Sequence, residues 1–91
     1  MLDLYTAFDV QIELRDFISQ SRKQKKWSVE ELSTRSGVPY GTIRKFETTG
    51  NISLRQFLML YEAVGELKKI RTLTKVESEQ PSSIEEVLKN A

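Results

Sequence analysis

The sequence predicts an all-α fold: a compact five-helix bundle with a short C-terminal tail. Three observations predict it. Apolar residues recur at helical spacing, most clearly Leu54, Phe57, Leu58, Tyr61 and Val64. Helix-starting and helix-ending residues punctuate the chain at short intervals, at Ser28, Gly37, Ser53 and Gly65. Ninety-one residues without a cysteine make one domain with a modest core, which a helical bundle can build without metal or disulfide.

Residues 1–10 carry Leu2, Leu4, Tyr5 and Phe8, more apolar than a frayed terminus. They are expected to pack on the domain or on a second subunit, or simply to begin the first helix. That helix is predicted over 9–25. Phe8, Ile12, Leu14 and Ile18 form its inward stripe, flanked by Phe17 and Ser21. It ends in the basic cluster Arg22, Lys23, Lys25 and Lys26. Trp27 follows as a core anchor and hydrophobic staple, with base stacking as the lesser alternative.

The stretch SVEELSTRSGVPYGTIRKFE organises the rest. Ser28 and Glu31 form a capping box that opens a helix over 29–36, with Leu32 turned inward. Gly37 can take the left-handed conformation that ends it, and Val38 plugs the turn. Pro39 suits a first helical position, since its φ is already helical and its missing N–H is not needed there. A third helix follows over 39–48, with Thr42, Ile43 and Phe46 at helical spacing. Residues 49–51 are turn chemistry. Ser53 caps a fourth helix, with Leu60 flanking its apolar face. Met59 lies nearly opposite, exposed or in a partner contact. Gly65 ends it. A short fifth helix is predicted over 66–73, with Leu67, Ile70, Leu73 and Val76 apolar and Lys68, Lys69 and Arg71 outward.

After Val76 the composition turns polar, which divides the chain into a domain over 1–76 and a linker and tail over 77–91. The tail resumes a helical pattern. Ser82 with Glu85, or Ser83 with Glu86, offers a capping box, and Ile84, Val87 and Leu88 share a stripe. A helix this short is marginal alone, so it must dock somewhere or stay disordered.

Several function classes are excluded. There is no Cys and no His, hence no thiolate chemistry, zinc finger or imidazole base. No nucleophile has a base at hand, and there is no Gly-rich phosphate loop. Glu30 and Glu31, like Glu85 and Glu86, are adjacent pairs whose side chains diverge on a helix. The expectation is therefore no enzyme, no catalytic residue, no metal and no cofactor. There is no long apolar run for a membrane span and no secretory signal, so a cytoplasmic location is expected.

The net charge is +1, but it is unevenly spread. Residues 1–14 hold three acids and no base, residues 15–45 eight bases and three acids, and residues 46–91 six bases and seven acids. The positive charge collects on the second and third helices and the helix before them. That is the footprint of phosphate binding, although cations also suit the end of a helix for its dipole alone. Two short helices with a Gly-containing turn, the second carrying exposed polar and basic side chains, make a helix-turn-helix. Such a motif places its second helix in the DNA major groove.

Residues 14–73 resemble the lambda-repressor/Cro-like (XRE) helix-turn-helix domain. The resemblance is carried by Leu14, Ile18 and Arg22, then Ser28, Glu31 and Leu32, then Gly37-Val38, Thr42-Ile43, Phe46-Glu47 and Ser53-Leu54, in order and without a gap through the motif. It implies a lambda-repressor-like bundle and a regulator, a repressor, that binds double-stranded DNA as a homodimer. It also implies a structural pair, Arg22 with Glu47, setting the angle between helices, with a phosphate contact as the second reading of Arg22. The implied DNA-binding residues are Ser28, Pro39, Tyr40, Gly41, Thr42, Arg44, Lys45 and Asn51. Arg44 or Lys45 can donate to guanine edges or touch phosphate, and Tyr40 can meet a thymine methyl or a phosphate. Gly41 leaves room for close approach of the protein backbone to DNA, and Thr42 and Asn51 are candidate contacts to the DNA backbone. The chain departs from the pattern at Val29, where a phosphate-gripping glutamine is usual, at Pro39 in place of a Ser or Thr cap, and at Ser21 in place of a leucine. Its layout also resembles HipB-like antitoxins. The alternative function is accordingly an antitoxin or adaptor that binds a partner protein such as a HipA-like kinase toxin, through residues 1–8, Met59 and the tail.

Overall fold

A computed structural model describes residues 4–76; over that span the protein holds five α-helices and no strand. The predicted linker and tail over 77–91 lie outside the described residues, as does Leu2.

α1 spans Ala7–Gln24 and starts earlier than predicted. The Thr6 hydroxyl accepts the Asp9 N–H at 3.1 Å and the Asp9 carboxylate accepts the Thr6 N–H at 3.1 Å, a capping box that sequence reading missed. α1 packs on α3 and α4 through the face that buries Ile18 completely. Phe8 and Leu14, predicted inward, are 61% and 41% exposed. At helical pitch they fall on opposite flanks of the Ile18 line, so one contact face cannot cover both. The helix closes on Lys26 at φ 61°, with its N–H bonded to the Lys23 carbonyl and the Trp27 N–H to the Arg22 carbonyl. This is the Schellman pattern, with lysine where glycine is usual.

α2 spans Val29–Ser36. The Ser28 hydroxyl accepts the Glu31 N–H at 3.0 Å. The reciprocal half of the predicted box is replaced: the Glu31 carboxylate accepts from Arg35 at 3.0 Å, one turn along the helix. Gly37 stands at φ 82° as predicted. The turn is tied from both sides, by Ser33 Oγ donating to the Val38 carbonyl and Ser36 Oγ accepting the Val38 N–H. Val38 is fully buried beneath it.

α3 spans Tyr40–Thr49. Pro39 is its cap rather than its first residue, because ψ 146° leaves it extended. It contributes no side-chain cap bond. Gly50 ends α3 at φ 83°.

α4 spans Leu54–Val64 behind the Ser53 cap. It packs on α1, α2 and α5, so its apolar band is wider than the single stripe predicted. Leu60, expected as a flank, is fully buried, while Leu54 is 75% exposed. Met59, expected exposed or in a partner contact, is instead half-buried against the core, with its Cε beside the Gly37 turn. Gly65 ends the helix in an extended conformation rather than a left-handed one.

α5 spans Leu67–Arg71, followed by a 3₁₀ turn over Thr72–Thr74. Leu67 and Ile70 pack inward, but Leu73 and Val76 are 82% and 92% exposed, since the regular helix stops before it can turn them in. The core is Ile18, Leu32, Val38, Ile43, Phe46, Phe57, Leu60 and Tyr61, one contiguous cluster drawn from the first four helices and the α2–α3 turn. Phe46 meets Phe57 edge-on at 6.1 Å. Among the described residues no helix is long and apolar enough to cross a membrane.

Candidate nucleic-acid interface

The orientation of α3 is set before any of its outer residues matters. Ile43 and Phe46 anchor its inner face in the core. Glu47, its sole carboxylate, turns back to α1. Arg22 Nε donates to Glu47 Oε2 at 2.9 Å and Nη2 to Oε1 at 3.0 Å, a fork-to-fork pair. The third arm, Nη1, donates to the Trp27 carbonyl at 2.8 Å, just ahead of the α2 cap. Both side chains are largely sheltered, at 12% and 14% exposure. One guanidinium therefore ties α1, the start of α2 and the end of α3 together. The pair is where the sequence places it. Trp27 packs against the core edge with the Arg35 guanidinium 4.3 Å from its ring centroid, which leaves that face unavailable for a base.

With Ile43 and Phe46 inward, the 100° step of the helix turns Tyr40, Gly41, Arg44, Lys45 and Thr48 outward, and all five are exposed. Arg44 Nη1 donates to the Tyr40 hydroxyl at 3.1 Å, and its guanidinium lies 5.9 Å from the Tyr40 ring. The two side chains thus stand together, with most of the arginine's donors uncommitted among the described residues. Nothing lies within 4 Å of a Cβ placed on Gly41, so the backbone there is open to close approach. Lys45 is exposed and makes no ion pair among the described residues. α3 itself puts no acid on this face, because its one carboxylate, Glu47, is consumed by Arg22.

The remaining sequence candidates are less alike. Thr42 is half-buried on the flank of α3. Pro39 and Ser28 are exposed at the starts of α3 and α2, and the Ser28 oxygen is already used as the cap. Asn51 is exposed just beyond α3, but its Oδ1 accepts from Gln11 Nε2 at 3.2 Å. The same Gln11 amide nitrogen donates to the Gly50 carbonyl at 2.6 Å. Gln11 therefore braces the turn that carries Asn51, a contact across 39 residues that no local pattern announces. Thr48 was also missed. Its exposure follows from the same pitch as Arg44, but its hydroxyl donates to the Arg44 carbonyl at 2.9 Å.

Among the described residues no group of three acids could hold a metal ion. Comparison with protein-family models, curated proteins and solved structures finds no match to the chain.

Proposed function

We propose that the protein is a sequence-specific DNA-binding regulator of the lambda-repressor/Cro-like type, a repressor that presents α3 to the major groove and binds as a homodimer. The observation that carries this reading is the outer face of α3: Tyr40, Gly41, Arg44 and Lys45 exposed together, without an acid, on a helix whose angle is locked by Arg22 and Glu47. A major groove admits one α-helix, and its guanine edges offer two acceptors to an arginine or lysine. The free N–H groups at the start of α2, beside Ser28, suit a phosphate. Two copies on a palindromic site would read half-sites one helical turn apart.

The test starts from a random duplex pool selected for binding to the full chain. Affinity for a selected duplex and for its scrambled form is then measured across salt. Specific binding with a log–log salt slope of about −0.9 per phosphate engaged is the expected result. Arg44→Ala and Lys45→Ala should each cost about 1–3 kcal/mol at one base position if they reach base edges, and weaken all sequences alike if they meet phosphate. Equal affinity for selected and scrambled duplexes at moderate salt would remove the proposal.

A second reading, a module that binds another protein such as a toxin, is favoured by the bare apolar side chains of Leu73 and Val76 beside α5. Copurification of a partner, undiminished in the Arg44→Ala and Lys45→Ala variants, would support it.

A further inference from the structure

We propose that the groove between the N-terminal halves of α1 and α4 receives a second copy of this chain, related by a two-fold axis, with the Leu54 of each copy seated in the groove of the other. The inference deepens the paired binding proposed above. It rests on that reading for the two-fold alone, because its test needs no DNA.

The groove has a volume of about 550 Å³. Ala7, Val10 and Leu14 form one wall, Leu54 and Phe57 the other, and Ile52 lies with them. It exists because α1 carries a second apolar stripe. Val10, Leu14 and Phe17 recur at i, i+4 and i+7 beside the Ile18 face. Phe17 is drawn against Tyr61 of α4 at 5.6 Å between ring centroids, while the N-terminal ends of the two helices leave a gap.

Two features select a second copy as the occupant. The first is self-complementarity: a two-fold interface needs a projection and a recess on one and the same patch. Leu54, the most exposed apolar residue of α4, stands on the rim of the recess. The second is area, which is that of a small two-sided contact.

The area sets the strength. Val10, Leu14 and Phe17 are each about two-fifths exposed and Leu54 three-quarters. At about 150–200 Å² for a fully exposed side chain of this kind, the four present roughly 350 Å² of apolar surface. Interfaces are about three-fifths apolar, so this matches roughly 600 Å² per copy, at the lower edge of specific assemblies. A contact of this size is that of a reversible dimer, not a permanent one. Gly50 and Asn51, just past the end of α3, also line the groove, whereas Tyr40, Gly41, Arg44 and Lys45 do not. The two α3 helices would thus approach by their C-terminal ends with their outer faces uncovered.

The experiment is sedimentation equilibrium of the full chain without DNA, from about 1 to 300 μM, which brackets micromolar association. The wild type should shift from monomer to dimer across this range. Leu54→Glu changes an exposed first-turn residue, where an acid suits the helix dipole, so the monomer should keep its helical signal and melting temperature. It should weaken dimerisation at least tenfold. Leu73→Glu, on an exposed apolar patch that does not line the groove, should leave dimerisation unchanged. A chain that stays monomeric throughout gives the groove to its own segment 77–91 or to a different protein, and overturns the proposal. So does a dimer indifferent to Leu54→Glu, or one abolished by Leu73→Glu. Loss of DNA binding with the dimer intact would strike the DNA reading alone.

Discussion

Replacing Glu47 with alanine should show what the Arg22–Glu47 pair does. In the wild type the guanidinium makes three bonds, at 2.9 and 3.0 Å to the carboxylate and 2.8 Å to the Trp27 carbonyl. Glu47→Ala removes two of the three and leaves beside a void a cation that in the wild type is only 12% exposed. Breaking a fully buried pair costs about 3–5 kcal/mol, and removing a charged hydrogen bond about 1.5–3. Water can still reach the edge of this site, so about 3 kcal/mol is the appropriate magnitude. A domain of this size is stable by roughly 4–11 kcal/mol and loses about 4–8 °C of melting temperature per kcal/mol, so Glu47→Ala should melt about 12–24 °C lower. The assay is thermal and urea unfolding followed by helical circular dichroism. The pair need not itself be a net source of stability. The double variant Arg22→Met with Glu47→Leu, which exchanges both charges for apolar groups of similar bulk, should recover most of the loss. A fall of under about 1 kcal/mol in the single variant would refute the reasoning, since the cation would then have been solvated all along. A double variant no better than the single would show instead that the loss came from packing.

The other expectations concern backbone conformation. Lys26 holds φ 61° within a well-bonded closing motif, so Lys26→Gly should stabilise the fold by about 0.5–1 kcal/mol, read as a higher urea midpoint at constant slope. Gly50→Ala should destabilise by more than about 1 kcal/mol, because the left-handed backbone is strained by a Cβ and that Cβ would lie 2.9 Å from Ile12 Cδ1. Gly41→Ala should do the reverse, raising stability by up to about 1 kcal/mol at an open helical position. If DNA backbone approaches α3 there, the same variant should bind a selected duplex more weakly although it is better folded. Unchanged affinity would place the contact elsewhere on the helix.

What could be read in the sequence was local. Ser28, Gly37 and Ser53 act over one turn of chain, and a residue's own backbone conformation or a partner three positions away decides the outcome. Their roles therefore needed no neighbours. The Arg22–Glu47 pair spans 25 residues, yet was legible through a resemblance that carries tertiary information with it. The outward set on α3 followed from Ile43 and Phe46 once that helix was given an inside.

The tertiary structure decided which side of each helix counts as inside when more than one neighbour competes for it. α4 is apolar over much of its circumference because three helices touch it. Its pattern therefore could not rank Leu60 as core, Met59 as a lid over the Gly37 turn and Leu54 as exposed. α1 has two apolar stripes, and only the packing of α3 and α4 against it selects Ile18 and leaves Val10, Leu14 and Phe17 at the edge of an open groove. Gln11 bracing Gly50 and Asn51 belongs to the same class. Capping and turn energies are settled within a few bonds, whereas burial is settled by whatever distant segment arrives, and spacing along one helix carries no record of that.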